Sequence, residues 1–164
     1  MAHVIAVIGC GNVNRSDDGA GPEVVRALSH RAIAQDSRIR LLDAATDGMA
    51  VMFAARNCAS LILVDACRSG ATPGAVFEVP GAELACRHPP AMSLHDFRWD
   101  HALFAGRRLF AAAFPVDVSV LLIEAETTAL GIGLSAAVAR AAAAVADRIE
   151  SRLREYLQEA ALCR

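Results

Sequence analysis

The sequence predicts an α/β fold: three layers, with a twisted, mainly parallel sheet of about five strands between helices on both faces. Three observations predict it. The short apolar runs "HVIAVI", "SLILVDA" and "VDVSVLLIEA" read as strands buried on both faces, as a covered parallel sheet requires. Segments of helical period separate them, so strand and helix alternate along the chain. The 164 residues, 55% of them hydrophobic, supply one core, with no internal repeat and no linker. Residues 1–164 are therefore expected to form a single domain.

Each element has a local reason. Residues 3–8 form the first strand, which runs into the glycine-rich loop "GCGNVNRSDDGAG" at 9–21. "GPEVVRALSHRAIA" then places Val24, Val25, Leu28 and Ala32 at helical spacing, and Pro22 sits in the first turn, where its missing N–H costs nothing. "IRLLDA" at 39–44 is a second strand and "GMAVMFAARN" at 48–57 a short helix. Residues 60–66 are the third strand, and "GAVFEV" at 74–79, entered through Pro73-Gly74, is an edge strand. Residues 80–97, with Pro80, Pro89 and Pro90, read as a loop. A helix over 99–114 carries Leu103, Phe104, Leu109 and Phe110 near one face, and 116–125 is another strand. After Gly131 and Gly133, residues 134–160 make a long helix with an apolar stripe from Leu134 through Val138, Val145, Ile149 and Leu153 to Leu157. Ser135 is its candidate N-cap.

Composition narrows the function. A net charge of -2, from 16 basic and 18 acidic residues, offers no surface for nucleic acid or an anionic membrane. No apolar stretch reaches the ~20 residues of a membrane span, and the first apolar run meets glycine too soon for a signal peptide. A soluble, cytoplasmic monomer is expected. Cys10, Cys58, Cys67, Cys86 and Cys163 are scattered without a C-x-x-C pair, and are expected as small buried or free thiols.

The loop at 9–21 follows a strand, as phosphate-binding loops do, but carries two adjacent acids. Gly9 and Gly11 supply two glycines of the dinucleotide fingerprint, and Asp43 would suit a ribose hydroxyl, yet Asn14 takes the third glycine position. A pyrophosphate needs the positive end of the following helix, where Asp17 and Asp18 already lie. Like charges ~5 Å apart repel by a few kcal/mol at an effective dielectric near 20. No Walker lysine follows, so no nucleotide is expected.

An ionised carboxylate at a helix start is a cap, a base or a metal ligand. Capping is the expectation for Asp17, whereas Asp18 stays open between cap and site. Ligands of such sheets bind beyond the carboxyl ends of the strands, which selects the loop, Asp43 and Asp65. Asp65 closes an otherwise apolar "LILV" run as a turn former or a site residue, and loop backbone would equally satisfy Asp43. Among the five histidines, His3 and His30 read as structural or solvated, and His101 as a surface or contact residue. His88 and His95 lie in the one long loop able to reach the strand ends. If the fold gathers Asp18, Asp65 and His95, they form an oxygen-oxygen-nitrogen set suited to zinc, nickel or iron in an open site.

Read in order, the motifs resemble those of the hydrogenase maturation endopeptidases, the nickel-dependent proteases of nickel-iron hydrogenase assembly. The loop at 9–21 resembles their G-x-G-N-x-x-x-x-D-D/E-x-x-G motif. "SLILVDACRSGATPGAVFEV" is similar to their strand-Asp-Ala segment, "SLHDF" to their Ser-x-His segment, and "GIGLSAAVARAAAAV" to the start of their last helix. The resemblance implies that Asp18, Asp65 and His95 contact the metal, that Asp18 and Asp65 are catalytic, and that Gly9, Gly11, Asn12 and Asp43 support the site. It implies hydrolysis of one peptide bond, removing a C-terminal extension from a hydrogenase large-subunit precursor after nickel insertion. The nickel would belong to the substrate, as a recognition handle. No Ser-His-Asp or Cys-His set stands out, so the expected chemistry is a carboxylate acting as general base on water, with a metal polarising the carbonyl.

The chain departs from the family pattern at three places. Asp43-Ala44-Ala45-Thr46 stands where relatives carry Asp-Gly-Gly-Thr, adding two β-carbons where backbone approaches a substrate. Glu124-Ala125-Glu126 lacks a proline between the acids, and Phe97, Arg98 and Trp99 replace a Gly-Leu segment. These leave open a divergent peptidase of the same fold with a different precursor or a non-hydrogenase target; a separate alternative is a non-catalytic metal-binding assembly factor that grips the precursor without cutting it.

Overall fold

The computed structural model describes residues 4–83 and 97–162, with side chains to 159. The elements run β1 (Ile5–Cys10), α1 (Ala20–Ser29), β2 (Ile39–Ala45), α2 (Gly48–Ala55), β3 (Ser60–Cys67), β4 (Val76–Pro80), α3 (Trp99–Phe110), β5 (Asp117–Glu124) and α4 (Ala136–Leu162). The strands form one five-stranded sheet in the order β2-β1-β3-β5-β4. β1 pairs in parallel with β2 and β3, and β3 with β5, while β4 is antiparallel to β5. His3, His88, His95, Cys86 and Cys163, with most of the loop expected at 80–97, lie outside the described residues.

Strand alternation builds two cores. Ile5, Val7, Ile62, Val64, Leu121 and Ile123 face α1 and α4, where Val24, Val25, Leu28, Val138, Val145, Ile149 and Leu153 cover them. Ala6, Ile8, Leu61, Leu63, Val118 and Val120 face the other way, onto Val51, Met52, Ala102 and Leu103 of α2 and α3. Fully burying one such side chain stabilises by ~1.5–3 kcal/mol, so both helical layers are held by the apolar strand runs themselves. On the edge strand β4, Glu78 accepts from Ser119 Oγ at 2.7 Å and Arg152 Nη1 at 2.8 Å, and also pairs with Arg148. Charge on an edge discourages pairing with another chain.

Several boundaries differ from the sequence expectation. β1 continues through Gly9 and Cys10, which pair with Asp43 and Ala45 of β2. These residues read as loop because glycine is a poor strand former, but here it clears space for the helix behind. A Cβ at Gly9 would lie 2.3 Å from Gly21 O, and one at Gly21 would lie 2.3 Å from Cys10 O and 2.4 Å from Val64 O. The first turn of α1 therefore packs backbone to backbone on the strand ends. α3 stops at Phe110 because Ala111 takes a φ of 45°, and a short 3-10 turn over Ala111–Ala113 completes the expected helix.

Two expected caps are corrected. Ser135 precedes α4 as expected, but its hydroxyl is buried with no hydrogen-bond partner among the described residues, and its N–H instead donates to Asp17 Oδ1 at 2.7 Å. Asp17 does not cap α1, which starts after Gly19 without a side-chain cap. Asp17 is 0% exposed, and its Oδ2 accepts the N–H groups of Glu126 and Thr127 at 2.9 and 3.1 Å. Its carboxylate ties the α1 approach to the loop between β5 and α4.

The glycine contacts give a test. Gly21→Ala must displace two strand carbonyls and is expected to destabilise by ~3 kcal/mol. Gly70 has a φ of 88° with nothing within 4 Å of a built Cβ, so Gly70→Ala carries only the left-handed penalty of ~1 kcal/mol. Urea denaturation of both variants measures the difference, and equal losses would remove the close-packing account.

Candidate active site

Asp18 lies in a 3-10 turn over Ser16–Gly19, between β1 and α1. The turn is built under strain, with Ser16 at a φ of 50°. Such a conformation costs ~1–3 kcal/mol and persists only where neighbours over-determine it. They do: Ser16 N–H donates to Gly131 O at 2.8 Å, Ser16 Oγ donates to Ala129 O at 3.1 Å, and Gly131 N–H donates to Asn14 O at 3.0 Å. Asp18 Oδ2 accepts the Asn12 N–H at 3.0 Å, while Asn12 Oδ1 accepts the Asn14 N–H at 2.9 Å. Gly11 takes a φ of 131°, and a Cβ there would lie 1.8 Å from Asp18 O and 3.6 Å from Asp65 Oδ1. Bare backbone at Gly11 thus separates the two acids expected in the site.

Asp65 lies inside β3, paired with Leu122 of β5, and is 3% exposed. Its Oδ1 accepts the Ala66 N–H at 2.8 Å and its Oδ2 accepts the Trp99 Nε1–H at 2.7 Å. Arg98 Nη2 stands 3.5 Å from the same Oδ2. Burial pushes the Asp65 carboxyl up, to about 6, against the Trp99, Ala66 and Arg98 contacts that favour its anion, and the nearby Asp18 charge adds to the rise. A carboxyl in that range exchanges a proton near neutral pH.

Asp18, Asp65, Arg98 and Trp99 stand on the wall between two adjoining cavities. One, of about 380 Å³, is completed by Cys10, Gly11, Ala45, Thr46, Asp47, Gly48 and Val51. The other, of about 500 Å³, is completed by Arg15, Ala66, Cys67, Arg68, Leu122 and Thr128. Both expected acids therefore meet at one place. His95 lies outside the described residues, and among those described no group of three or more His, Cys, Asp or Glu is placed to hold a metal ion. Asp43 is exposed and does not line either cavity. Its Oδ1 accepts the Ala45 N–H at 2.9 Å, and Ala45 O in turn accepts the Gly11 N–H at 2.8 Å. Ala45 has a φ of 46°, so Asp43 secures a left-handed residue in the cavity wall.

Arg98 and Trp99 are additions to the expected site. Their signal was present as the Phe-Arg-Trp departure, but adjacency to Asp65 depends on how α3 docks. Burial works against a thiolate at Cys10 and Cys67. Burial, with Asp65 next, pushes the Cys10 thiol far up. Burial and then the Glu124 hydrogen bond push Cys67 up to about 12, its Sγ donating to Glu124 Oε2 at 3.3 Å. Neither holds thiolate at neutral pH. Glu124 is a loop anchor: its carboxylate accepts the Ser69 N–H, the Ser69 hydroxyl and the Gly70 N–H, at 2.8–3.0 Å.

Known proteins of similar sequence and fold point in one direction. A family model described as hydrogenase maturation protease matches residues 22–152. Over 157 residues the chain is 29% identical to the Hydrogenase 2 maturation protease of Escherichia coli strain K12, covering 95% of this chain and 94% of that protein. A stretch of 103 residues is 32% identical to Coenzyme F420 hydrogenase subunit delta of Methanothermobacter thermautotrophicus. That match covers 56% of this chain and 65% of the relative, less than two thirds of its length. Among solved structures, the hydrogenase maturating endopeptidase HybD from Escherichia coli aligns with a TM-score of 0.77 at 26% sequence identity, over 93% of each chain.

The raised Asp65 carboxyl has a consequence for stability. Its ordinary value is 3.8 and its folded value about 6, so between these the folded chain binds more protons than the unfolded chain. Stability then falls as pH rises through that window, by up to about 3 kcal/mol. Asp65→Asn is expected to lack this decline when urea melts at pH 4.5 and 7.5 are compared. An identical slope in both proteins would show that Asp65 titrates normally.

Proposed function

This chain belongs to the hydrogenase maturation protease family, and we propose that it is an aspartyl-type endopeptidase removing the C-terminal extension of a hydrogenase large-subunit precursor after nickel insertion. One observation carries the reading: Asp18 and Asp65 both line each of two adjoining cavities, so an extended polypeptide laid over that shared rim would have chain on either side of the acids. That arrangement suits cutting within a chain.

The nickel in this reaction arrives as part of the substrate. Carboxylate oxygens and an imidazole are donors that nickel accepts, and Asp18, Asp65 and His95 are the proposed contacts. A precursor that has not received its metal would then lack a handle at the acids. In the proposed step Asp65 takes a proton from water, the resulting hydroxide oxygen bonds the scissile carbonyl carbon, and the C–N bond breaks. Asp65 returns the proton to the leaving amine, so the step consumes one water and no other reactant. Asp18, fixed by the Asn12 N–H, holds its charge on the opposite side of Gly11 and orients the metal-bearing segment. No helix among the described residues is long and apolar enough to cross a membrane, and we assign the reaction to a cytoplasmic monomer.

A second reading has one observation in its favour. The relative from Methanothermobacter is named as a hydrogenase subunit, not as a protease, which suits a factor that grips a hydrogenase chain without cutting it. Mass spectrometry of nickel-loaded precursor after incubation separates the two. Endopeptidase action predicts loss of one C-terminal peptide, and Asp18→Asn is expected to slow that loss ~100-fold, as misplacing a bound reacting segment does. Stable co-elution at unchanged mass supports the gripping factor, and parental-rate cleavage by Asp18→Asn refutes the assigned role of Asp18.

A further inference from the structure

We propose that Trp99 is the positioning residue of this site, its indole N–H fixing the orientation of the Asp65 carboxylate that acts on the scissile bond. The inference rests on the endopeptidase reading above. An indole nitrogen only donates, so its 2.7 Å contact with Asp65 Oδ2 has one possible sense. A bond of that length to a charged acceptor is of the stronger kind. Oδ1 is taken up by the Ala66 N–H of the same strand at 2.8 Å. With the Ala66 N–H on one oxygen and the indole N–H, ahead of the more distant Arg98, on the other, the carboxylate plane is set.

Trp99 is itself held in place. It opens α3 and packs against the core beneath α2 and α3. The two residues before it rest on Gly48, the first residue of α2. Gly48 N–H donates to Phe97 O at 3.1 Å, and a Cβ at Gly48 would lie 2.2 Å from that oxygen and 2.6 Å from Arg98 O. The backbone entering α3 therefore has no room to slide, and the ring is delivered to Asp65 by a contact between bare chains. Arg98 cannot orient the acid equally well. Its side chain is 68% exposed and reaches Oδ2 only at 3.5 Å.

The chain contains one tryptophan, so biosynthetic replacement by 3-benzothienylalanine alters this site alone. The analogue keeps the bicyclic shape and carries sulfur where the N–H was. Loss of a partner that orients a functional group typically costs ~10–100-fold, and kcat for cleavage of nickel-loaded precursor is expected to fall by that factor. KM is expected to change by a smaller factor than kcat, because the lost bond orients Asp65 and is not itself made to the bound chain. Trp99→Phe, made separately, should show the same split. In the parental protein the single indole ¹H–¹⁵N resonance should lie downfield of a solvent-exposed indole and move upfield in Asp65→Asn. Equal kcat for parental and analogue proteins overturns the positioning role, as does an indole resonance that Asp65→Asn leaves in place. A parental chain that leaves the precursor uncut fails differently: the endopeptidase reading is then lost, and the positioning role with it.

Discussion

The start of α1 meets the ends of β1 and β3 with no side chain between them, and the rest of the site depends on that contact. Gly21 faces the carbonyls of Cys10 and Val64, Gly9 faces Gly21, and Gly11 faces the carbonyl of Asp18. Because the backbones touch, the turn over Ser16–Gly19 is drawn down onto the end of the sheet. Asp18 then arrives beside Asp65, which β3 has buried for reasons of its own pairing. The adjoining loop is fastened by Asp17, whose carboxylate takes three backbone N–H groups from residues 126–135. One acid of the Asp17-Asp18 pair is thus structural and buried, and its neighbour faces the cavities.

A second backbone contact, at Gly48, completes the opposite wall. There α2 and the entry to α3 touch, and Trp99 and Arg98 are brought over Asp65. Opposing influences then meet on one carboxyl. Burial raises it, the indole N–H, the Ala66 N–H and Arg98 lower it, and Asp18 raises it again, with the balance at about 6. An acid set there is substantially ionised at neutral pH yet able to receive a proton, which is what a general base requires. The same burial raises the thiols of Cys10 and Cys67, which keeps them protonated at neutral pH.

The fold was legible because it is carried by local signals. Apolar runs covered on both faces and alternating with amphipathic helices specify a parallel sheet, and the five strands lie close to where the runs do. The errors fell where tertiary contact overrides propensity. Gly9 looked like a loop residue, but it is strand because α1 needs the space. Asp17 and Ser135 looked like caps by position, but each bonds the other's region across 118 residues, a pairing that no local pattern contains. Asp18 and Asp65 were readable as loop and strand-end acids, and that they share a cavity became visible only in three dimensions. Trp99 was visible as a departure from the family pattern, but its bond to Asp65 depends on helix docking.

Two carboxylates, separated by the bare backbone of Gly11, line one rim and feel each other's charge. NMR titration of the Asp65 side-chain carbon, in the parental chain and in Asp18→Asn, tests that coupling most directly. The expected midpoint lies near 6 and moves down once the Asp18 charge is removed. A midpoint that the substitution leaves in place would mean that the two acids do not form a common site.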